Sequence, residues 1–313
     1  MTAKVLVIGE ALVDVVKAQD GTTKNIPGGS PANTAVALAK LGINSYMKAR
    51  SSTDQFGEII RNYLLSQNVN LDLTITVDQP SSIIDAEIQL DGSANYSANL
   101  LGASDYGWSE TELLLEDPER FAIIHLASLT SYVEPGATNI EKWFGQFRQN
   151  TKNILSFDPN IRHPLDGQEA ESVRARAKRL AGLAHIVKAS DEDLTWINKN
   201  RAVEETAEEF IALGAKLVIV TLGKNGSWAI NAGGNHTKVN AAKVNVIDTI
   251  GAGDTFSAAL LTLLVENSLC DQNVLSDLSN SDLNDLLVKA SAASAITCSR
   301  QGANPPLRSE LDW

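Results

Sequence analysis

Asp248-Thr-Ile-Gly-Ala-Gly-Asp-Thr-Phe256 is the most informative stretch of this chain. It follows an expected strand at 243–247 and runs into an apolar helical stretch at 256–265. Gly251 and Gly253 let the backbone turn tightly with its N–H groups converging on one point, and a helix N-terminus adds the positive end of its dipole there. That geometry suits an anion. The turn ends, however, in a carboxylate, Asp254, which repels a resting phosphate and is better placed to take a proton. An anion cradle beside a base is what moving a phosphoryl group onto a hydroxyl requires. The competing reading of Asp254 is an ordinary helix N-cap, since aspartate is a favoured capping residue.

Outward from this turn, short apolar runs of strand length occur at 5–8, 122–126, 153–157, 184–188 and Leu217–Thr221. Helical periodicity separates them at 32–41, 57–66, 134–150, 168–180 and Val203–Leu213, and helices at 255–266 and 282–298 close the chain. Such alternation predicts an α/β fold: a doubly wound, mostly parallel sheet with helices on both faces. Two places break the pattern. Asp20-Gly21 lies within extended residues 12–26, and Asp91-Gly92 separates 84–90 from 94–97. Asp-Gly between extended runs signals a hairpin, and hairpins do not belong inside a parallel sheet. They are read either as two surface hairpins or as a small β-sheet lid, formed by about 12–26 and 83–98 and inserted in one domain of 1–313. Both flank Pro27-Gly28-Gly29, which favours the lid. The Ala-Gly-Gly-Asn turn at 232–235 predicts a third hairpin.

Composition narrows the function classes. The chain has 313 residues, 43% hydrophobic and 20% charged, with a formal net charge of −12 and no basic tract, which argues against nucleic-acid and anionic-membrane partners. The longest apolar stretch falls well short of the ~20 residues that span a bilayer, and residues 5–8 already form a strand where a signal peptide would lie. A cytoplasmic enzyme is expected. Neither Cys270 nor Cys298 has a metal-ligand neighbour at the usual spacing, and His125, His163, His185 and His236 are scattered singly, so each is read as structural or exposed.

The familiar phosphate loops are absent. Gly223-Lys224-Asn225 lacks the earlier glycine and the hydroxyl of a Walker A motif, and Phe256 stands where a dinucleotide fingerprint needs its third glycine. A second glycine-rich segment, Pro27-Gly28-Gly29-Ser30-Pro31-Ala32-Asn33, opens the helix at 34–41. Its paired glycines permit close approach of a polyhydroxyl ligand, and the Asn33 amide can both donate and accept.

With Ala-Leu-Ala-Lys-Leu-Gly42 after it, this segment resembles the N-terminal signature of the ribokinase-like (PfkB-type) carbohydrate kinases, and 248–256 resembles their C-terminal signature. Intervening pieces match in order: Gly9-Glu10-Ala11-Leu12-Val13-Asp14, Asp54-Gln55-Phe56-Gly57 and Thr221-Leu222-Gly223-Lys224-Asn225-Gly226. The resemblance covers nearly the whole chain and implies the ribokinase-like fold, three α/β/α layers with a lid, using ATP and Mg²⁺ and, in many members, K⁺. It implies Asp254 as the base and the N–H groups of Gly251, Ala252 and Gly253 as the anion hole. Asp14, Gly28, Gly29 and Asn33 would hold the sugar, with Asn160 beside it. Lys188, Ser190, Thr221, Gly223, Gly226 and Gly302 would face the nucleotide, and Asp248 and the Ile250 carbonyl a K⁺ ion. Where many relatives carry Asn-x-x-Glu to organise the Mg²⁺ water shell, this chain has Ser190-Asp191-Glu192-Asp193. Asp193 would act there through water.

Asp158-Pro159-Asn160-Ile161-Arg162 emerges at the C-terminal edge of the sheet, where ligands of open α/β folds bind. Arg162 brings a fixed fork of donors, read as a catalytic contact. This motif resembles the fructokinase and 2-keto-3-deoxygluconate kinase branches, and Gly28–Asn33 and Lys188–Asp193 resemble the fructokinase branch, which makes fructose, phosphorylated to fructose 6-phosphate, the expected substrate. A 2-keto-3-deoxygluconate kinase, using Arg162 against the carboxylate, is the main rival. A nucleoside kinase would call for an aromatic cluster beside Asn33 to stack a base, which this chain lacks, and a sugar sensor would be expected to lose Asp254 or its glycines, which this chain keeps. Pairing of two lids into a homodimer is expected from their otherwise open edges.

Overall fold

Burial along the first strand sets the architecture. In β1 (Lys4–Ile8), Val5 and Val7 join one apolar cluster while Leu6 and Ile8 join another, as the two-residue period of a strand covered on both faces demands. The computed structural model describes residues 3–17, 21–88, 94–162 and 169–313. The further strands are β2 (Leu12–Lys17), β3 (Thr23–Gly28), β4 (Asn44–Lys48), β5 (Arg50–Ser52), β6 (Ile75–Val77), β7 (Ile83–Ile88) and β8 (Ala94–Asn99). They continue with β9 (Phe121–Ala127), β10 (Ile154–Asp158), β11 (Ile186–Ser190), β12 (Leu217–Thr221), β13 (Ser227–Asn231) and β14 (His236–Val239).

Eight strands form the main sheet in the order β14-β13-β12-β11-β10-β9-β1-β4, parallel from β4 to β12, with β13 and β14 as an antiparallel edge. Helices Ser30–Lys40, Ala252–Glu266 and Asn280–Cys298 cover the face carrying Val5 and Val7. Helices Gly136–Asn150, Ala170–Leu183 and Val203–Leu213 cover the other. Strand β1 pairs with β4 on one side and β9 on the other, so the winding reverses between β1 and β9. The crevice outside the C-terminal ends at such a reversal is where open α/β sheets bind ligands. Helix Ala252–Glu266 is buried throughout 254–264, with apolar residues on every side among a few polar ones. It therefore lies inside the molecule, between helices Ser30–Lys40 and Asn280–Cys298, with its N-terminus at the crevice.

The two expected hairpins form one separate sheet, in the order β3-β2-β7-β8. Each hairpin is antiparallel, but the two meet through a parallel pairing of β2 with β7, Val13 opposite Ile83. Asp20 and the Asp91-Gly92 turn fall outside the described residues, as do His163 and Gln168. A buried carboxylate anchors the roots of this sheet. Asp105 Oδ1 accepts from the Ala11 N–H at 3.0 Å, just before β2, and Oδ2 from the Ser82 hydroxyl at 2.5 Å, just before β7. Burial pushes Asp105 up to about 7, with Glu10 adding to the rise and the Ser82 and Ala11 donors opposing it.

The expected strand at 243–247 does not form. Val244 and Val246 give the right alternation, but both are exposed, and no strand pairs with the segment among the described residues. Its end is held instead by the Cys298 carbonyl, which accepts from Ile247 N at 2.8 Å and Asp248 N at 3.2 Å. Strands β4 to β6 were not anticipated. Polar Asn44, Ser45 and Lys48 leave only Tyr46 and Met47 as an apolar signal in β4. Histidines 125 and 185 are buried beside structural partners, Ser156 Oγ at 3.0 Å and the Leu155 N–H at 2.9 Å. Burial chiefly, with nearby cations, pushes both down to about 3, so both are neutral. Among the described residues no helix is long and apolar enough to cross a membrane.

Candidate active site

Gly251 caps helix Ala252–Glu266 in the left-handed conformation, φ 76°, and a Cβ there would lie 2.7 Å from the Ala303 Cβ. Any other residue would therefore be strained and would collide. Asp254 is the third residue of this helix, not its cap, so the capping interpretation is corrected. Its oxygens are engaged elsewhere: Ser30 Oγ donates to Oδ1 at 2.6 Å and Asn33 Nδ2 to Oδ2 at 2.9 Å. Both donors stand on the first turn of helix Ser30–Lys40, which Gly29 opens at φ 101°. A Cβ on Gly29 would come within 2.9 Å of the Glu10 carbonyl oxygen, so the glycine lets this turn sit against the segment after β1. The two glycine-rich segments, over 200 residues apart in the chain, thus meet at one carboxylate. Burial pushes Asp254 above the usual aspartate range; the Ser30 and Asn33 donors and the Lys188 ammonium oppose this, and Asp158 adds to it.

At the N-terminus of the same helix, the N–H groups of Gly251 and Gly253 have no acceptor among the described residues, whereas that of Ala252 is directed to the Thr249 carbonyl at 3.2 Å. Beneath the turn lies Lys188, 5% exposed, its Nζ 3.1 Å from where a Cβ on Gly253 would stand. It pairs with Asp158 Oδ2 at 2.9 Å, and Ser257 Oγ, from the first turns of helix Ala252–Glu266, donates to the same oxygen at 3.1 Å. Burial alone would lower the Lys188 proton affinity, but the Asp158, Asp193 and Asp254 carboxylates reverse this, and the ammonium stays charged. The ends of β10 and β11 are thereby tied to the turn carrying Asp254.

On the other side, Asp14 on β2 lies next to Gly28: a Cβ on that glycine would meet Asp14 Oδ2 at 3.0 Å. Burial raises the Asp14 carboxyl. Ser128 and Asn160, just past the ends of β9 and β10, hold left-handed backbone, φ 62° and 36°, unusual for residues with a Cβ. Arg162 is exposed and donates to the adjacent Ile161 carbonyl at 3.2 Å; no bond joins it to Asp254 among the described residues.

The nucleotide candidates line the ends of β11 and β12. Ser190 caps helix Asp191–Ile197, and Asp193 Oδ2 accepts from both the Ser190 N–H and its hydroxyl. Asp193 Oδ1 accepts from the Ile161 N–H at 2.8 Å, steadying the loop after β10. Thr221 ends β12, and Gly223 and Gly226 bracket the following turn with φ 53° and 93°. A Cβ on Gly226 would run into the Val239 carbonyl oxygen. Asp248 accepts from Ile250 N at 3.0 Å and from Gly302 N at 2.8 Å, joining the glycine turn to the loop at Gly302.

Comparison with known proteins shows the family. Residues 2–310 match the description "pfkB family carbohydrate kinase". The chain belongs to that family. Among its relatives, the probable fructokinase-2 of Arabidopsis thaliana is 30% identical, covering 98% of this chain and 94% of its own. The fructokinase of Rhizobium leguminosarum bv. trifolii is 32% identical over 87% of this chain and 83% of its own. The crystal structure of Vibrio cholerae O395 fructokinase in its fructose-, ADP- and calcium-bound form superposes with a TM-score of 0.81 at 25% identity, covering 96% and 94% of the two chains. The doubly wound fold with a smaller second sheet, expected from the sequence, is borne out.

For this pfkB family kinase, the roles of Ser30, Asp158 and Ser257 are not anticipated by the sequence analysis, although the first two residues lie inside motifs singled out above. Asp158 had a usable signal, a carboxylate ending the otherwise uncharged, buried run Ile154–Asp158. Ser30 had none, because its partner is 224 residues away.

Proposed function

We propose that this chain transfers the γ-phosphoryl group of ATP to a hydroxyl of D-fructose, giving fructose 6-phosphate. The carrying observation is a buried carboxylate, Asp254, within one helical turn of unclaimed N–H groups at the same helix N-terminus. The choice of fructose rests on the relatives, which are named fructokinases, and on the fructose and ADP bound by the Vibrio cholerae protein.

Asp254 accepts the proton of the attacking hydroxyl, a contribution of about 10²–10⁴-fold for a well-placed general base. The N–H groups of Gly251 and Gly253, backed by the helix dipole and the Lys188 charge, meet the negative charge that develops on the transferring group. The N–H of Ala252 joins them once released from Thr249. Asp14, Gly28, Gly29 and Asn33 hold the sugar, with Asn160 at the neighbouring strand end. Ser190, Thr221, Gly223, Gly226 and Gly302 flank the nucleotide. Closure of the β3-β2-β7-β8 sheet over the crevice keeps out water, which would otherwise compete as acceptor.

The donor set fits Mg²⁺ only through water: Asp193 Oδ1, with one N–H bond, keeps a lone pair for a metal-bound water, while Oδ2 already accepts two bonds. Bound Mg²⁺ supplies charge neutralisation between the phosphates. For K⁺, Asp248 and the Ile250 carbonyl are the candidate ligands, and the bonds from Ile250 N and Gly302 N already give Asp248 a fixed orientation. ATP as donor fits a cytoplasmic enzyme. The sugar-acid alternative depends on Arg162, which is exposed and faces its own loop carbonyl, so fructose is preferred. Product analysis tests the reading: ³¹P NMR of a reaction with ATP, Mg²⁺ and fructose is expected to show ADP together with a phosphomonoester on C6 of the sugar. ADP with only inorganic phosphate would refute a kinase.

A further inference from the structure

We propose that Ser30 is a positioning residue for the phosphoryl-transfer base: its hydroxyl holds Oδ1 of Asp254 while Asn33 holds Oδ2, fixing the carboxylate plane beside the anion hole. The inference rests on Asp254 being that base. Ser30 and Asn33 are three residues apart, so they share one face of helix Ser30–Lys40, and that helix packs against the one bearing Asp254. Two donors from one rigid element, one to each oxygen, remove the side chain's freedom to rotate about its last bond. One remaining lone pair on each oxygen is left for the incoming hydroxyl.

The O···O distance of 2.6 Å is that of a hydroxyl donating to an ionised carboxylate. Ser30 can donate this bond and still accept one from a sugar hydroxyl. The charged groups that face Asp254 are Lys188 from β11, which favours its ionised form, and Asp158 from β10, which disfavours it. Against the desolvation of a carboxylate only 8% exposed, the donors of Ser30 and Asn33, the largest opposing influences, act with the Lys188 charge to favour its ionised form. Removing the Ser30 donor leaves the ionised form less stabilised, so the base retains its proton to higher pH.

The test is the pH profile of kcat with saturating fructose and ATP·Mg²⁺ for wild type, Ser30→Ala, Ser30→Cys and Ser30→Thr. Loss of one hydrogen bond to a charged group is expected to lower kcat about 10–100-fold in Ser30→Ala and to move the acid limb up by about one pH unit. Cysteine, close in size but a far weaker donor, is expected to move the limb the same way, which separates the lost bond from lost volume. Threonine keeps the hydroxyl and is expected to return the limb toward wild type. An acid limb unmoved in both Ser30→Ala and Ser30→Cys overturns the inference, including the case in which only KM for fructose rises, because Ser30 then serves the sugar alone. Asp254→Asn separates the two levels. Wild-type-like turnover in that variant overturns both the base and its positioning residue, whereas an inactive Asp254→Asn with an unmoved Ser30 limb overturns Ser30 alone.

Discussion

Asp254→Asn is expected to lower kcat by about 10²–10⁴-fold while leaving the Kd values for fructose and for ATP within a few-fold of wild type. Asparagine keeps the shape of the side chain, and its carbonyl oxygen can still accept from Ser30 or Asn33. What it loses is the ability to take a proton. The split is diagnostic, because an interaction made only in the transition state lowers kcat without weakening ground-state binding. Steady-state kinetics with calorimetric titration of each ligand reads both halves. A variant that binds fructose ten or more times more weakly with near-normal kcat would make Asp254 a sugar ligand instead.

The second large effect concerns the ion pair beneath the turn. Lys188→Met leaves Asp158 buried with a charge that nothing neutralises, its Oδ2 retaining only Ser257 and its Oδ1 having no partner among the described residues. Breaking one side of a buried pair costs about 3–5 kcal/mol. For a domain of this size that is a fall in Tm of roughly 6–20 °C, extrapolating from about 2–4 °C per kcal/mol. Adding Asp158→Asn removes the orphaned charge and is expected to recover more than half of the loss. Thermal melts of the single and double variants check this. A Lys188→Met protein melting within about 2 °C of wild type would show that the pair does not brace the site. Activity is expected to fall in both variants, since each removes the positive charge beside Gly253.

How much of this was legible in the sequence depended on whether the deciding contacts were local. Leu217–Thr221 and Val203–Leu213 form as read, because an apolar run and a helical stripe each carry their own periodicity. The turns within 12–26 and 83–98 favour a lid sheet over two surface hairpins, but the parallel β2–β7 pairing that joins the hairpins has no local signal. The segment at 243–247 shows the converse failure: its alternation promises a strand, yet a strand also needs a neighbouring strand to pair with, and none does so among the described residues. The glycines at 28, 29, 251 and 253 announced close backbone approach. Only the fold shows what approaches: Asp14, the Glu10 carbonyl, Ala303 and Lys188. Lys188 was assigned to the nucleotide because of its motif. In the structure its charge is committed to Asp158, and it acts on the anion turn from below.

The most direct test of the account is a panel of acceptors assayed for ADP release with ATP and Mg²⁺, comparing kcat/KM for fructose, ribose, adenosine and 2-keto-3-deoxygluconate. The account predicts fructose as the best acceptor, by tenfold or more, with turnover of the Asp254→Asn protein lowered about 10²–10⁴-fold. Preference for the keto-acid, or for a nucleoside, would contradict it.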